Sequence, residues 1–412
     1  MIDHPRASMY LKWTCSWCIC LLVLSGCAVK VTPTPEPVTI TFTYATFNVD
    51  SEPYEAFIET FSERYPHITV EVRRWAPWVG VDAEDVDVLA VNGGLVSGLR
   101  EEESIISLDP FIQRDESFDL SDLHADSVAH FTYEGESWAI PAGMSVNALY
   151  YNKDLFDQYG VPYPDFGWTW NDFMEKAVAL RDPDAGIYGY AAGDQGFDVI
   201  PFIYQHGGRI VDDLHNPTRV VFDDPLTIEA LEWYARLVHE YDAVLTPERS
   251  RREFEVDDPL LAIVLGKVGM WIEDLSGTRE VKATLNWGVV PLPSDAQSFT
   301  QASIYGYAIS AHAADPDACW QWITFLSEQV HPGLIPARTS LLESKAYEER
   351  VGGQVVDVAL TSLENAEIVS YWSLFSGFQR EMRAFGRAVE QVLRGDITAQ
   401  EAMEQAQQAA ER

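Results

Sequence analysis

The stretch from Trp138 to Phe173, WAIPAGMSVNALYYNKDLFDQYGVPYPDFGWTWNDF, constrains this chain more than any other. It opens with a short apolar run that ends at Pro141. A small polar patch follows at Ala142, Gly143, Ser145 and Asn147, and then a β-rich run from Ala148 to Tyr151. Successive residues of a strand point to opposite faces, so an apolar run of this kind belongs to a sheet covered on both sides. Asn152-Lys153-Asp154 closes the strand. Leu155, Phe156 and Tyr159 then take helical spacing up to Gly160. Thr169, with Asp172 three residues on, is placed as the capping box of a further helix. Strand, polar crossing, strand, helix and capped helix in this order predict a chain passing from one α/β lobe into another.

At 412 residues the chain exceeds the size at which one core usually divides. A formal charge of −36 argues against nucleic acid and anionic membrane surfaces as partners, because both repel an acidic protein. The N-terminus carries the marks of a processing segment: Arg6 and Lys12, then an apolar run from Trp13 to Leu24, too short for the roughly 20 residues of a membrane span. Leu24-Ser25-Gly26-Cys27 resembles a lipobox, so residues 1–26 are expected to be a lipoprotein signal peptide with Cys27 as the lipidated residue. Residues 27–37, with three prolines, are expected to form an extended tether. Cys15, Cys18 and Cys20 fall inside the leader, which argues against zinc. Cleavage would leave Cys319 beyond the anchor as a free, core-type thiol. The nine histidines are scattered, with no pair at i, i+4, so neither a metal site nor a cofactor is expected.

Val38–Tyr44 reads as a first strand. Tyr54, Phe57, Ile58, Phe61 and Tyr65 set out one helix face, and Ile68–Val72 and Asp87–Val91 give two more strands. This rhythm predicts a mostly parallel sheet with helices outside. Trp287 to Leu292 reads as a strand that leads, through Pro291 and Pro293, into a second crossing. Thr398 with Glu401 marks the capping box of the last helix.

Taken together, Pro141, the YYNKDLF run at Tyr150–Phe156, Gly160, Pro164, TWNDF at Thr169–Phe173, GKVGM at Gly266–Met270, YGYAIS at Tyr305–Ser310 and IPAR at Ile335–Arg338 resemble the extracellular solute-binding proteins of family 1, the sugar-binding subunits of bacterial ABC importers. The resemblance spans roughly residues 38 to 408, and Gly269 stands where the family has alanine. It implies an α/β, type II periplasmic-binding-protein fold: two α/β lobes joined by a multi-strand hinge, with the ligand cleft between them. The expected division is residues 38–143 with 294–336, and 144–293 with 337–412, the chain crossing near Pro141, Pro293 and Pro336.

Sugars present hydroxyl edges and apolar faces, so a site for them needs flat rings and fixed hydrogen-bonding groups. The resemblance selects positions at strand ends and crossings: Phe47 and Asn48 after the first strand, Asn92 after the third, Ser145 where a family carboxylate would stand, Trp271 with Glu273 or Asp274 beyond the GKVGM signature, Tyr305 and Arg338. Trp75 and Trp78 flank Pro77 in a loop and could form a rim or a surface staple. Each has a plainer reading: Phe47, Tyr305 and Trp271 as core, Arg338 as a salt-bridge partner. The resemblance thus implies a non-catalytic, monomeric, extracytoplasmic lipoprotein that captures a carbohydrate and hands it to the permease subunits of an ABC transporter. Two alternatives stay open on the sequence. One is a binder of another solute, such as a polyamine or peptide. The other is a lipid-anchored glycoside hydrolase, which needs two carboxylates set across a cleft.

Overall fold

The computed structural model describes residues 36–45, 53–75, 83–214, 217–275, 279–331, 333–365, 367–370 and 378–412. The expected leader, Cys27 and most of the tether lie outside these residues, as do Phe47, Asn48 and Trp78.

Among the described residues there are thirteen strands: β1 (Val38–Ala45), β2 (Ile68–Trp75), β3 (Val88–Asn92), β4 (Thr132–Tyr133), β5 (Glu136–Ser137), β6 (Ile140–Asn152), β7 (Tyr188–Ala191), β8 (Val244–Leu245), β9 (Val268–Asp274), β10 (Trp287–Val290), β11 (Phe299–Ile309), β12 (Ile335–Pro336) and β13 (Glu367–Ser370). β4 and β5 make a small hairpin, and the rest form one sheet ordered β2-β1-β3-β11-β6-β9-β7-β8. β10 and β12 also pair with β6, and β13 with β11.

β6 organises the molecule. Its first half pairs with β11 from Ile140 to Val146, and its second half with β9 from Asn147 to Tyr151. The strand therefore belongs to both lobes and changes partner at Val146–Asn147. Of its thirteen residues only Ser145 and Asn147 are not buried, as the covered-strand reading of its sequence requires.

The second passage between the lobes is β11, not the turn at Pro291 and Pro293. Ser294 is still bridged to Thr169, and the Gln297 N–H donates to Gln205 O, so both prolines remain in the second lobe. Along β11, Phe299 stacks on Tyr204 and Thr300 Oγ1 donates to Asn147 O, whereas Tyr305 to Ile309 pair with β3. The two prolines end β10, whose pairing with β6 stops at Leu149. β12 makes the third passage, against Met144 and Gly143. Ala337 and Arg338 then stay with the first lobe: Ala337 O accepts from His124 N, and Arg338 is bridged to Leu123.

Among the described residues three apolar clusters hold the sheet. One joins β1, β3 and the start of β6 to helices Pro53–Arg64 and Pro316–Ser327 through Phe42, Phe61, Tyr307 and Trp322. A second joins Leu149, Tyr190 and Met270 to helices Trp170–Leu180, Pro225–His239 and Gln379–Arg394. The third runs behind both lobes, from Leu89 and Met144 through Tyr150 and Trp271 to Val358 of helix Gly353–Asn365. This shared rear cluster explains why residues 37–412 form one compact unit although two lobes are built on the sheet.

Candidate binding cleft at the strand junction

Strand direction fixes where a site can lie. β1 and β3 are parallel, and β11 is antiparallel to both β3 and β6, so β3 and β6 run the same way. β9 runs against β6, and β7 is parallel to β9. The carboxyl ends of β1 and β3 in one lobe and of β7 and β9 in the other therefore point toward a common junction. Open α/β sheets bind ligands outside the carboxyl ends of their strands.

The register then sorts the side chains there. Asn92 faces Tyr305, Tyr305 faces Gly143, Ser303 faces Ser145, and Asn147 faces Asp274. Paired residues share a face, and so do residues two apart on a strand, so Asn92, Tyr305, Ser303, Ser145, Asn147 and Asp274 form one polar strip. All six are half-buried, and they alternate with fully buried neighbours such as Val146 and Ile304. On the same face the first cluster ends at Tyr307 and Ile140, and the second begins at Leu149. The strip is thus the part of this face that neither set of helices covers.

Local chemistry tunes it. Asn92 is the N-cap of helix Gly93–Glu101: its Oδ1 accepts from Leu95 N at 3.0 Å, which leaves the Nδ2 end as a donor. The Asn92-Gly93-Gly94 sequence supplies this cap and the first helical turn. The Tyr305 phenol is held above its ordinary range, first by burial and then by the charge of Asp274. It stays a neutral hydroxyl, able to donate and accept. Gly143 leaves room for the third passage: a Cβ there would lie 2.7 Å from Ile335 O and 2.9 Å from Leu334 Cβ. A row of amide, hydroxyl, phenol and carboxylate groups of this kind can bond several hydroxyls of a neutral polyol at once.

Of the residues singled out in the sequence, the structure brings Asn92, Ser145, Tyr305 and Asp274 onto this strip. It places four elsewhere. Trp271 and Glu273 sit at odd positions of β9, on the face opposite Asp274. Trp271 is 2% exposed, stacks on Tyr150 at 5.9 Å and 17°, and donates its indole N–H to Glu273 Oε2 at 3.1 Å. Arg338 is committed to the first lobe: its guanidinium bonds Ser327 O, Ser327 Oγ and Asp122 Oδ2 and lies over the Phe118 ring. A buried cation with this many fixed partners is a brace. Trp75 ends β2 opposite Ala45, at the sheet margin. Asn147, read in the sequence only as part of the polar patch, and Ser303, not singled out there, also fall on the strip; each stands two residues from another strip member, Ser145 and Tyr305.

The profile of the bacterial extracellular solute-binding proteins matches residues 45–329. This chain belongs to that family. It is 24% identical over 248 residues to the mannitol-binding protein of Pseudomonas aeruginosa, covering 56% of this chain and 54% of that one. The chain spans about half the length of the curated relatives it matches. Among solved structures it is similar to an ABC substrate-binding protein of Listeria monocytogenes in complex with cycloalternan, with a TM-score of 0.77 and 20% identity over 90% of this chain and 98% of the other. It is also similar to a solute-binding protein of Thermotoga lettingae bound with α-D-tagatose, with a TM-score of 0.70 and 19% identity over 90% of this chain and 98% of that one. These likenesses establish the expected type II periplasmic-binding-protein fold, two α/β lobes with the cleft between them.

Proposed function

We propose that this family member captures a carbohydrate between its lobes and delivers it to the permease subunits of an ABC importer, held at the outer face of the membrane by a lipid on Cys27. The observation that carries the reading is the strip Asn92, Tyr305, Ser303, Ser145, Asn147 and Asp274, set where the strand ends of both lobes meet. Its mixture of donors and acceptors suits sugar hydroxyls, and the sugar-bound neighbours and the mannitol-binding relative support that class of solute. The protein does no chemistry on its cargo: loading closes the lobes, and the closed form is the state the permease accepts. The lipobox-like Leu24-Ser25-Gly26-Cys27 supports the anchor at Cys27. The boundary between lobes falls at Val146–Asn147 on the first passage and within Phe299–Ile309 on the second.

Calorimetry of the purified chain across a library of mono- and oligosaccharides and polyols tests the proposal. Saturable binding of at least one, without turnover, is expected. Tight binding of a peptide or polyamine at the junction with no response to any saccharide would overturn it, and so would hydrolysis of a glycoside. Globomycin-sensitive processing of the precursor, lost in Cys27→Ala, tests the anchor separately.

A further inference from the structure

A cavity of about 790 Å³ opens in the second lobe, and no residue of the junction strip lines it. Its volume lies within the range of small-molecule sites. One wall is helix Pro225–His239, which presents Glu229, Glu232, Trp233 and Arg236, and another is formed by His206 and Asp295.

The wall is fixed by a ring stack. Trp233 lies on Trp170 at 4.2 Å and 27°, and Trp170 lies on His206 at 5.3 Å and 16°. The imidazole is held from both ends, Nδ1 to Asp295 Oδ2 at 2.6 Å and Nε2 to Glu229 Oε2 at 3.4 Å. The Trp170 indole N–H donates to Gln205 Oε1 at 2.9 Å, and Gln205 Nε2 donates to Phe299 O at 3.1 Å, at the start of β11. A surface tied down in this way loses little freedom when something settles on it.

The lining also selects by charge. It carries Glu229, Glu232, Glu240 and Asp295; Glu229 and Asp295 are shared with His206, Arg236 adds one guanidinium, and Glu232 and Glu240 remain in excess. A neutral sugar gains nothing from that excess, and an anion is repelled. An organic cation gains twice: its ammonium groups meet the carboxylates, and its chain can lie on the half-exposed Trp233 ring in cation–π contact.

We propose that this cavity is a second ligand site, separate from the junction, that takes an organic polyamine with Trp233 as its platform and Glu229 and Glu232 as its charge partners. Spermidine, titrated calorimetrically into the whole chain, is the probe. Saturable one-to-one binding is expected, weakened at least tenfold by Trp233→Ala and by Glu232→Gln, weakened again by added salt, and unchanged by Asp274→Asn at the junction. Glu232 is exposed, so its substitution leaves the core alone even if Trp233→Ala loosens the ring stack. Three results would each overturn the proposal: no saturable binding at millimolar spermidine, binding indifferent to both cavity variants, or binding removed by Asp274→Asn and untouched by Glu232→Gln.

Discussion

Asp274 is the residue on which the junction's chemistry turns, being the one carboxylate of the strip and the charge that acts on Tyr305. Asp274→Asn keeps the shape and removes the charge. Because hydrogen bonds to charged groups are worth about 1.5–3 kcal/mol, it should weaken saccharide binding by roughly 10- to 150-fold in calorimetry. Glu273→Gln, one residue away on the rear face, should change affinity less than threefold. Equal losses would show that the face assignment is wrong. Asp198 gives a second test at this scale. It is buried between Tyr190 and Tyr234, accepting from both phenols, and its Oδ1 has no partner. Burial pushes its pKa up to about 6. A raised carboxyl contributes stability that is present below its unfolded value near 4 and is lost as pH rises through about 6. A shift of about two units corresponds to about 3 kcal/mol. Asp198→Asn should therefore gain on the wild type by about 2 kcal/mol between pH 4.5 and 7.5 in denaturant titrations, and a pH-independent difference would contradict the assignment. The residue identities of the strip were partly legible. Asn92, Ser145, Tyr305 and Asp274 follow from motif position, but the side of the sheet on which Trp271 and Glu273 fall depends on register, and a one-residue step exchanges the faces.

Elements were easier to read than faces. Both capping boxes form as their spacing requires, Thr169 with Asp172 and Thr398 with Glu401, because their partners are three residues apart and need no tertiary information. The second passage was not legible at Pro291 and Pro293, since proline signals where pairing stops and says nothing of where the next strand leads. Gly269, in place of the family's alanine, has a local reason: a Cβ there would lie 2.7 Å from Leu180 Cδ1 and 3.0 Å from Gly189 O, and this chain fills that space with Leu180. Gly143 gives a sharper test. Gly143→Ala would meet the third passage at 2.7 Å from backbone and should cost about 1–3 kcal/mol in denaturant titrations. Gly98→Ala, inside helix Gly93–Glu101 with nothing within 4 Å, should instead stabilise by about 0.5–1 kcal/mol. Similar effects from the two would contradict the packing described around the third passage.

At the scale of the whole molecule, the sequence pointed to two lobes, and the sheet supplies them, but as carboxyl ends facing across a shared rear core. That arrangement needs the partner change within β6, which composition cannot reveal. The charge of −36 also acts here, since like charges on one compact body repel. Salt screens such repulsion over about 10 Å at 0.1 M, so melting temperature should rise by a few degrees between 20 and 300 mM sodium chloride, and a fall would mean that attractive pairs dominate. The central claim, that a solute is held between the lobes at the strand junction, is tested most directly by hydrogen exchange with and without the saccharide that binds in calorimetry. Added protection is expected at the amides of 92–95, 145–147, 272–275 and 303–305, on strands of both lobes. Protection confined to one lobe, or to the cavity at Trp170 and Trp233, would contradict it.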